Sequence, residues 1–178
     1  FVHDVMEHTL KKARECGGLH MLERKRLHTL VRASIEEYIA RVLPDLAEKS
    51  ARFRYLFDRL CAAVERIMDE VADELRCSDF EPLAFELKFG ADAPLPAISI
   101  QSAAGAARLS GKVDRVDGWL HDGKLYLRVI DYKTGKKAFD LAELRYGLGL
   151  QMLLYLFALE REGSGLFGGK EIIPAGVL

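Results

Sequence analysis

A chain of 178 residues can bury a real core, roughly two thirds of the surface that its unfolded form exposes. Its 49% hydrophobic and 30% charged residues exclude a disordered or fibrous class. The formal net charge of -1 excludes the bulk signature of a nucleic-acid binder, so any phosphate contact must be local. No apolar run approaches the ~20 residues that span a bilayer, which predicts a soluble protein with no membrane partner.

The sequence starts at Phe1 rather than methionine and stops at Leu178 inside an apolar run, as expected of a segment of a longer protein. Cys16, Cys61 and Cys77 are an odd number at wide spacing with no C-x-x-C pair, which predicts reduced thiols and favours the cytoplasm.

In chain order, Val2, Val5, Met6 and Leu10 fall at helical spacing, and Gly17 and Gly18 form a stop signal. A second helix is predicted over 22–43, ending before Pro44. A third follows from the stripe Phe53, Leu56, Phe57, Leu60, Val64, Ile67, Met68, Val71 and Leu75. The period then changes to two. Leu83, Phe85 and Leu87 predict one strand, Ile98 and Ile100 a second, 109–119 a third and 124–132 a fourth. His121, Asp122 and Gly123 fit a hairpin turn between the last two, Asp-Gly being a strong turn dipeptide. A buried helix is predicted over 141–161, and "GSGLFGGK" at 163–170 reads as a mobile loop. That stretch lacks the glycine and the Ser or Thr of a phosphate loop. The end, 172–178, reads as a final strand.

Two of these strands place an acid where an apolar residue belongs. Alternation puts Asp131 and Lys133 on one face with Tyr132 pointing away, and puts Asp114 on one face with Lys112 and Val116. Asp117 falls on the other face, where pairing with a basic neighbour is the simpler reading. If the hairpin aligns the strands, Asp114 and Asp131 converge at their ends with Lys133 adjacent and Glu86 on the first strand of the same sheet. Clustered carboxylates repel one another and a phosphate, so the set makes sense around a divalent cation such as Mg²⁺. Such a site suits metal-assisted phosphodiester hydrolysis, with Lys133 orienting water or stabilising developing charge.

At these residues the sequence resembles a known family. "GKVDRVDG" followed by "VIDYKTG" resembles the core of the PD-(D/E)XK nucleases and, within them, the RecB-like branch. "GLGLQMLLYLFAL" resembles that branch's Q-x-x-x-Y helix, "FVHDVMEHTL" its histidine-bearing helix, and "FELKFG" its acidic strand. "IIPAGVL" is similar to the strand that closes the core in nuclease domains of the AddB type. The resemblance reaches both ends of the chain, in the family's motif order. It implies an α/β fold with a restriction-endonuclease-like core: a central mixed sheet flanked by helices, with a helical N-terminal portion over 1–77 and the core over 80–178 in one nuclease domain.

By the same resemblance Asp114 and Asp131 are metal ligands and Lys133 is the catalytic lysine. His3 completes the metal shell, Glu86 is an additional acid near the metal, and Gln151 and Tyr155 face the site or the strand being cut. The implied cofactor is Mg²⁺, with Mn²⁺ as a substitute. An iron-sulfur cluster belongs to many AddB-type proteins, but Cys16, Cys61 and Cys77 do not match its ligand positions, which places any such ligands outside this chain. The implied partners are DNA, as a single strand emerging from a helicase, and an AddA-type helicase subunit. The implied role is exonuclease action in double-strand break repair and recombination. The rival from another class is an inactive nuclease-like module for DNA binding or subunit docking. The intact charges of Asp114, Asp131 and Lys133 count against it.

The remaining candidates have plainer readings. Lys11, Lys12 and the run Arg24, Lys25, Arg26 are individually expected to be solvated faces, as are Lys136 and Lys137. His8, His20, His28 and His121 lack ligand partners at helical or hairpin spacing and are expected to be structural or superficial.

Overall fold

Three-and-four spacing of apolar residues becomes three helices at the start of the chain. In the computed structural model, which describes residues 1–102, 105–132 and 150–178, α1 (Val2–Glu15) buries Val5, Met6, Leu10 and Ala13. The second helix, α2 (Arg24–Val42), buries Leu27, Val31 and Ile35, and α3 (Ala51–Arg76) buries Phe57, Val64, Met68, Val71 and Leu75. The glycine stop is a Schellman closure, with the Gly18 amide donating to the Ala13 carbonyl at 2.9 Å and the Gly17 amide to Arg14 at 3.1 Å. Gly17 has φ +96, which a side chain would oppose. Ser50 caps α3, its hydroxyl accepting from the Phe53 amide at 3.2 Å.

Charged side chains lace these helices together on their exposed flanks. Arg24 meets Asp69 at 3.3 Å and Asp73 at 3.4 Å, His28 meets Asp69 at 3.0 Å, and Arg32 meets Glu65 at 2.9 Å. Lys11 pairs with Glu7 and Lys12 with Glu37. Arg24, Lys11, Lys12 and His28 therefore have the structural roles expected of them singly, each exposed pair contributing ~0.2–1 kcal/mol.

The described residues divide into two compact units, Phe1–Asp79, which holds these helices, and Phe80–Leu178. The second unit is built on a four-stranded sheet of β1 (Glu81–Phe89), β4 (Gly111–His121), β5 (Lys124–Ile130) and β6 (Ile172–Val177), in that order across the sheet. The first two pairings are antiparallel and the last is parallel, a mixed sheet. A separate hairpin joins β2 (Ile98–Ser102) and β3 (Gly105–Leu109). The strand expected over 109–119 is β4, and β3 before it is a strand that was not expected. The segment "GAARL" has one large apolar residue and shows no alternation to reveal β3.

The β4–β5 hairpin turns on Asp122 and Gly123, both at positive φ (49 and 76), the two-residue turn that matches the twist of paired strands. Helix α4 (Gln151–Glu162) comes between β5 and β6 in sequence and lies over the sheet. Its Tyr155, Leu156 and Leu159 join Leu87, Val113, Val116, Leu127, Val129 and Ile172 in the core. The 141–149 part of the expected helix lies outside the described residues. The glycine-rich stretch after α4 is a turn of 3₁₀ helix (Ser164–Phe167) closed by Gly168 and Gly169 at φ +73 and +72, rather than an open loop.

Candidate active site

Strand register assembles the acids. Phe85 pairs with Arg115 and Leu87 with Val113, so Glu86 stands opposite Asp114. On the other side of β4 the pairing with β5 ends at Arg115 and Ile130, and Asp131 is the next residue of the chain. Glu86 and Asp114 therefore face one another across β1 and β4 with carboxylate oxygens within 4.8 Å, while Asp131 follows the last residue of β5 and does not complete a group of three with them within that distance.

The facing pair sits where the pleat is interrupted. Simple alternation sends Val113 and Val116 to opposite faces, and Ala84 and Leu87 likewise. Instead all four join or pack against the one core cluster under α4. Both strands thus reverse their alternation between these residues, at Glu86 and Asp114. Glu86 has φ +50, and among the described residues the one other non-glycine at positive φ is Asp122 in the hairpin turn. Such a conformation costs a non-glycine residue on the order of 1–3 kcal/mol. The interruption leaves Asp114 half-buried among fully buried Val113, Arg115 and Val116, and it means that Asp114 cannot be assigned a face with Lys112 and Val116 by counting in twos.

Each acid is held. The Lys112 ammonium contacts the Glu86 carboxylate. Asp114 Oδ2 accepts from the Tyr132 amide at 2.9 Å. The Asp131 amide donates to the Leu178 carbonyl at 3.0 Å, and the Leu178 amide donates back to Val129 at 2.9 Å, so Asp131 is fixed between β4 and the chain leaving β6.

Behind these acids is a buried polar network. Arg115 Nη1 donates to the Tyr132 hydroxyl at 2.7 Å, and its guanidinium lies over the Tyr132 ring at 5.5 Å. Arg115 Nη2 donates to Asp117 at 2.9 Å, and Arg128 Nε donates to the same carboxylate at 3.0 Å. Arg115 is 1% exposed and Asp117 0%, so these charges are out of water. Burial pushes the Asp117 carboxyl up, opposed by the Arg115 and Arg128 guanidiniums. Burial likewise pushes the Tyr132 hydroxyl up to about 12, with Arg115 pulling the other way. Asp117 thus has the basic partners expected of it.

Gln151 opens α4 and is exposed, and its amide donates to the Tyr155 hydroxyl at 2.9 Å. Tyr155 is 2% exposed and stacks on Phe89 with centroids 5.1 Å apart. A Cβ at Gly111 would collide with the Tyr155 hydroxyl, so the glycine that opens "GKVDRVDG" lets sheet and helix approach closely. His3 stands in the first turn of α1, half-buried, in the first unit. Lys133 lies outside the described residues, as do Lys136 and Lys137.

Two carboxylate oxygens at this separation fit a hard divalent cation, which takes oxygen ligands about 2.0–2.6 Å away. Sequence reasoning missed the Arg115 and Tyr132 contact and the strained Glu86. One signal was available for the first, because a tyrosine pointing away from its flanking Asp131 needs a partner for a buried hydroxyl. No signal announces a positive φ at a glutamate.

Comparison with known proteins agrees with this geometry. The chain matches the PD-(D/E)XK nuclease superfamily over residues 1–178. It is 32% identical over 182 residues to the B-type subunit of the ATP-dependent helicase/deoxyribonuclease of Clostridium tetani, covering 99% of this chain and 16% of the relative. The proteins of the same description from Caldanaerobacter subterraneus and Desulforudis audaxviator are 33% and 37% identical, over 180 and 179 residues, again with 99% of this chain and 15% of theirs. The chain therefore spans about a sixth of the length of these relatives. Motifs, mixed sheet and acidic pair converge on one conclusion: the chain belongs to the PD-(D/E)XK nuclease superfamily.

Proposed function

We propose that this chain is the metal-dependent exonuclease domain of an AddB-type helicase-nuclease, hydrolysing DNA phosphodiester bonds during double-strand break repair and recombination. The observation that carries the reading is the facing pair Glu86 and Asp114, with carboxylate oxygens within 4.8 Å, beside the end of β5 where Asp131 follows. Asp114 and Asp131 are the proposed principal metal ligands, Glu86 the additional acid and His3 a nitrogen donor. The proposed cation is Mg²⁺, with Mn²⁺ able to replace it. When bound, it supplies positive charge for the phosphate and acidifies a water.

The chain's own residues do the rest. The Tyr132 amide anchors one oxygen of Asp114, which orients that carboxylate beside Glu86. Lys112 offsets the charge of Glu86. Lys133, two residues beyond Asp131, is the proposed cation that orients the attacking water and meets charge developing on the phosphate. Gln151, exposed and steadied by buried Tyr155, is the proposed contact to the strand being cut. The relatives' description as helicase/deoxyribonuclease subunits supports single-stranded DNA from a helicase as substrate and an AddA-type helicase subunit as partner.

Calorimetric titration with Mn²⁺ alongside a single-stranded DNA cleavage assay tests this. Metal binding and metal-dependent cleavage, both lost in Asp114→Ala, are the expected result. A chain that binds no metal and cuts no DNA would return the reading to a docking module.

A further inference from the structure

Tyr132 is gripped at both ends by successive residues of β4. Its amide donates to Asp114 at 2.9 Å and its hydroxyl accepts from Arg115 at 2.7 Å. The ladder between β4 and β5 ends one step earlier, at the pair Arg115 and Ile130. Beyond that pair these two bonds continue the tie between β4 and the end of β5. We propose that Tyr132 is a positioning residue, locked by Arg115 so that its amide holds the Asp114 carboxylate and its backbone sets the direction in which Asp131 leaves the sheet. This rests on the nuclease reading above.

The geometry of the guanidinium makes the lock specific. Arg115 divides a rigid fork, Nη2 to Asp117 at 2.9 Å and Nη1 to Tyr132, while Asp117 is itself tied to Arg128 on β5 at 3.0 Å. The fork's orientation is therefore fixed from two strands, and with it the place of the hydroxyl. A lysine, with one compact charged head, cannot meet both partners in fixed directions. Stability does not explain the arrangement, because buried ion pairs hold a fold no better than apolar residues of like volume. A requirement for a defined position at the acids does explain it.

The decisive variant is Tyr132→Phe in the 178-residue chain, which keeps the ring and removes the hydroxyl. Expected are a Kd for Mn²⁺ raised about tenfold by calorimetry and a kcat lowered about tenfold, the effect of one hydrogen bond to a charged group. The KM for a single-stranded oligonucleotide should change less than about twofold, since no substrate contact is removed. Arg115→Lys, which keeps the charge beside Asp117, should give the same pattern, and the double variant should be no worse than either single one. A lowered thermal midpoint with Mn²⁺ affinity and kcat unchanged, both measured well below that midpoint, would mean a merely structural role and overturn the inference. If the unsubstituted chain neither binds Mn²⁺ nor cleaves, the nuclease reading fails and takes this inference with it. If it does both and Tyr132→Phe matches it, this inference alone fails.

Discussion

Asp114 is the residue on which the acids turn, since it faces Glu86 on one side and on the other accepts the amide of Tyr132, the residue after Asp131. Asp114→Ala should lower Mn²⁺ affinity by at least about a hundredfold, because Glu86 loses its facing carboxylate, with the circular-dichroism spectrum unchanged. Lys133→Ala should abolish cleavage while leaving Mn²⁺ affinity within about threefold, which separates a catalytic cation from a ligand in parallel titration and cleavage assays. The thiols make an independent prediction. Cys16 and Cys77 are exposed, whereas Cys61 is pushed from the ordinary 9.0 to about 11, first by burial and then by Asp58 and Glu65. The raised value means that the folded chain disfavours the Cys61 thiolate until pH approaches 11, so at pH 8 iodoacetamide should label Cys61 about a hundredfold more slowly in the folded chain than in the denatured one. Peptide mapping after timed labelling reads this directly. At this scale the identities of the acids were legible in the sequence, as an acid in each of two apolar runs. The φ of Glu86 was not, because a backbone reversal there depends on what both strands bury three residues apart.

Between elements, α4 presses on β4 at Gly111. Gly111→Ala should force Tyr155 aside and destabilise the fold by about 1–3 kcal/mol, the usual cost of overpacking, and move Gln151 with it. Denaturant midpoints measure the first effect and cleavage rates the second. Adding Tyr155→Leu to Gly111→Ala should cost less than the sum of the two separate changes, because the collision is shared. The long helical stripe of α3, the glycine stop of α1 and the Asp-Gly hairpin are local decisions, each made within a turn or two of chain, and the sequence displayed them. The β2–β3 hairpin was hidden because alternation needs large side chains to be seen, and "GAARL" has few. The reversed pleat was hidden for a different reason. Counting in twos assumes one unbroken strand, and only the facing strand reveals that the count restarts.

For the molecule as a whole, metal and stability should be linked. Mn²⁺ at about a hundred times its Kd should raise the unfolding free energy by roughly 2.7 kcal/mol, and chelation should remove that gain. Asp114→Ala should show neither the gain nor the loss in a thermal melt, which distinguishes binding at the facing acids from weak binding to scattered surface acids. Among the described residues no helix is long and apolar enough to cross a membrane. The sequence by itself determined the composition class, the helical opening, the change of period to strands, and the motif residues that mark the superfamily, since all of these are properties of neighbours along the chain. Only the tertiary structure decided that Glu86 and Asp114 face one another, that Arg115 reaches back to Tyr132, and that Tyr155 presses on Gly111. Those facts depend on register between strands and on the packing of a helix over a sheet, where the partners are far apart in sequence and are chosen by what the whole core can bury.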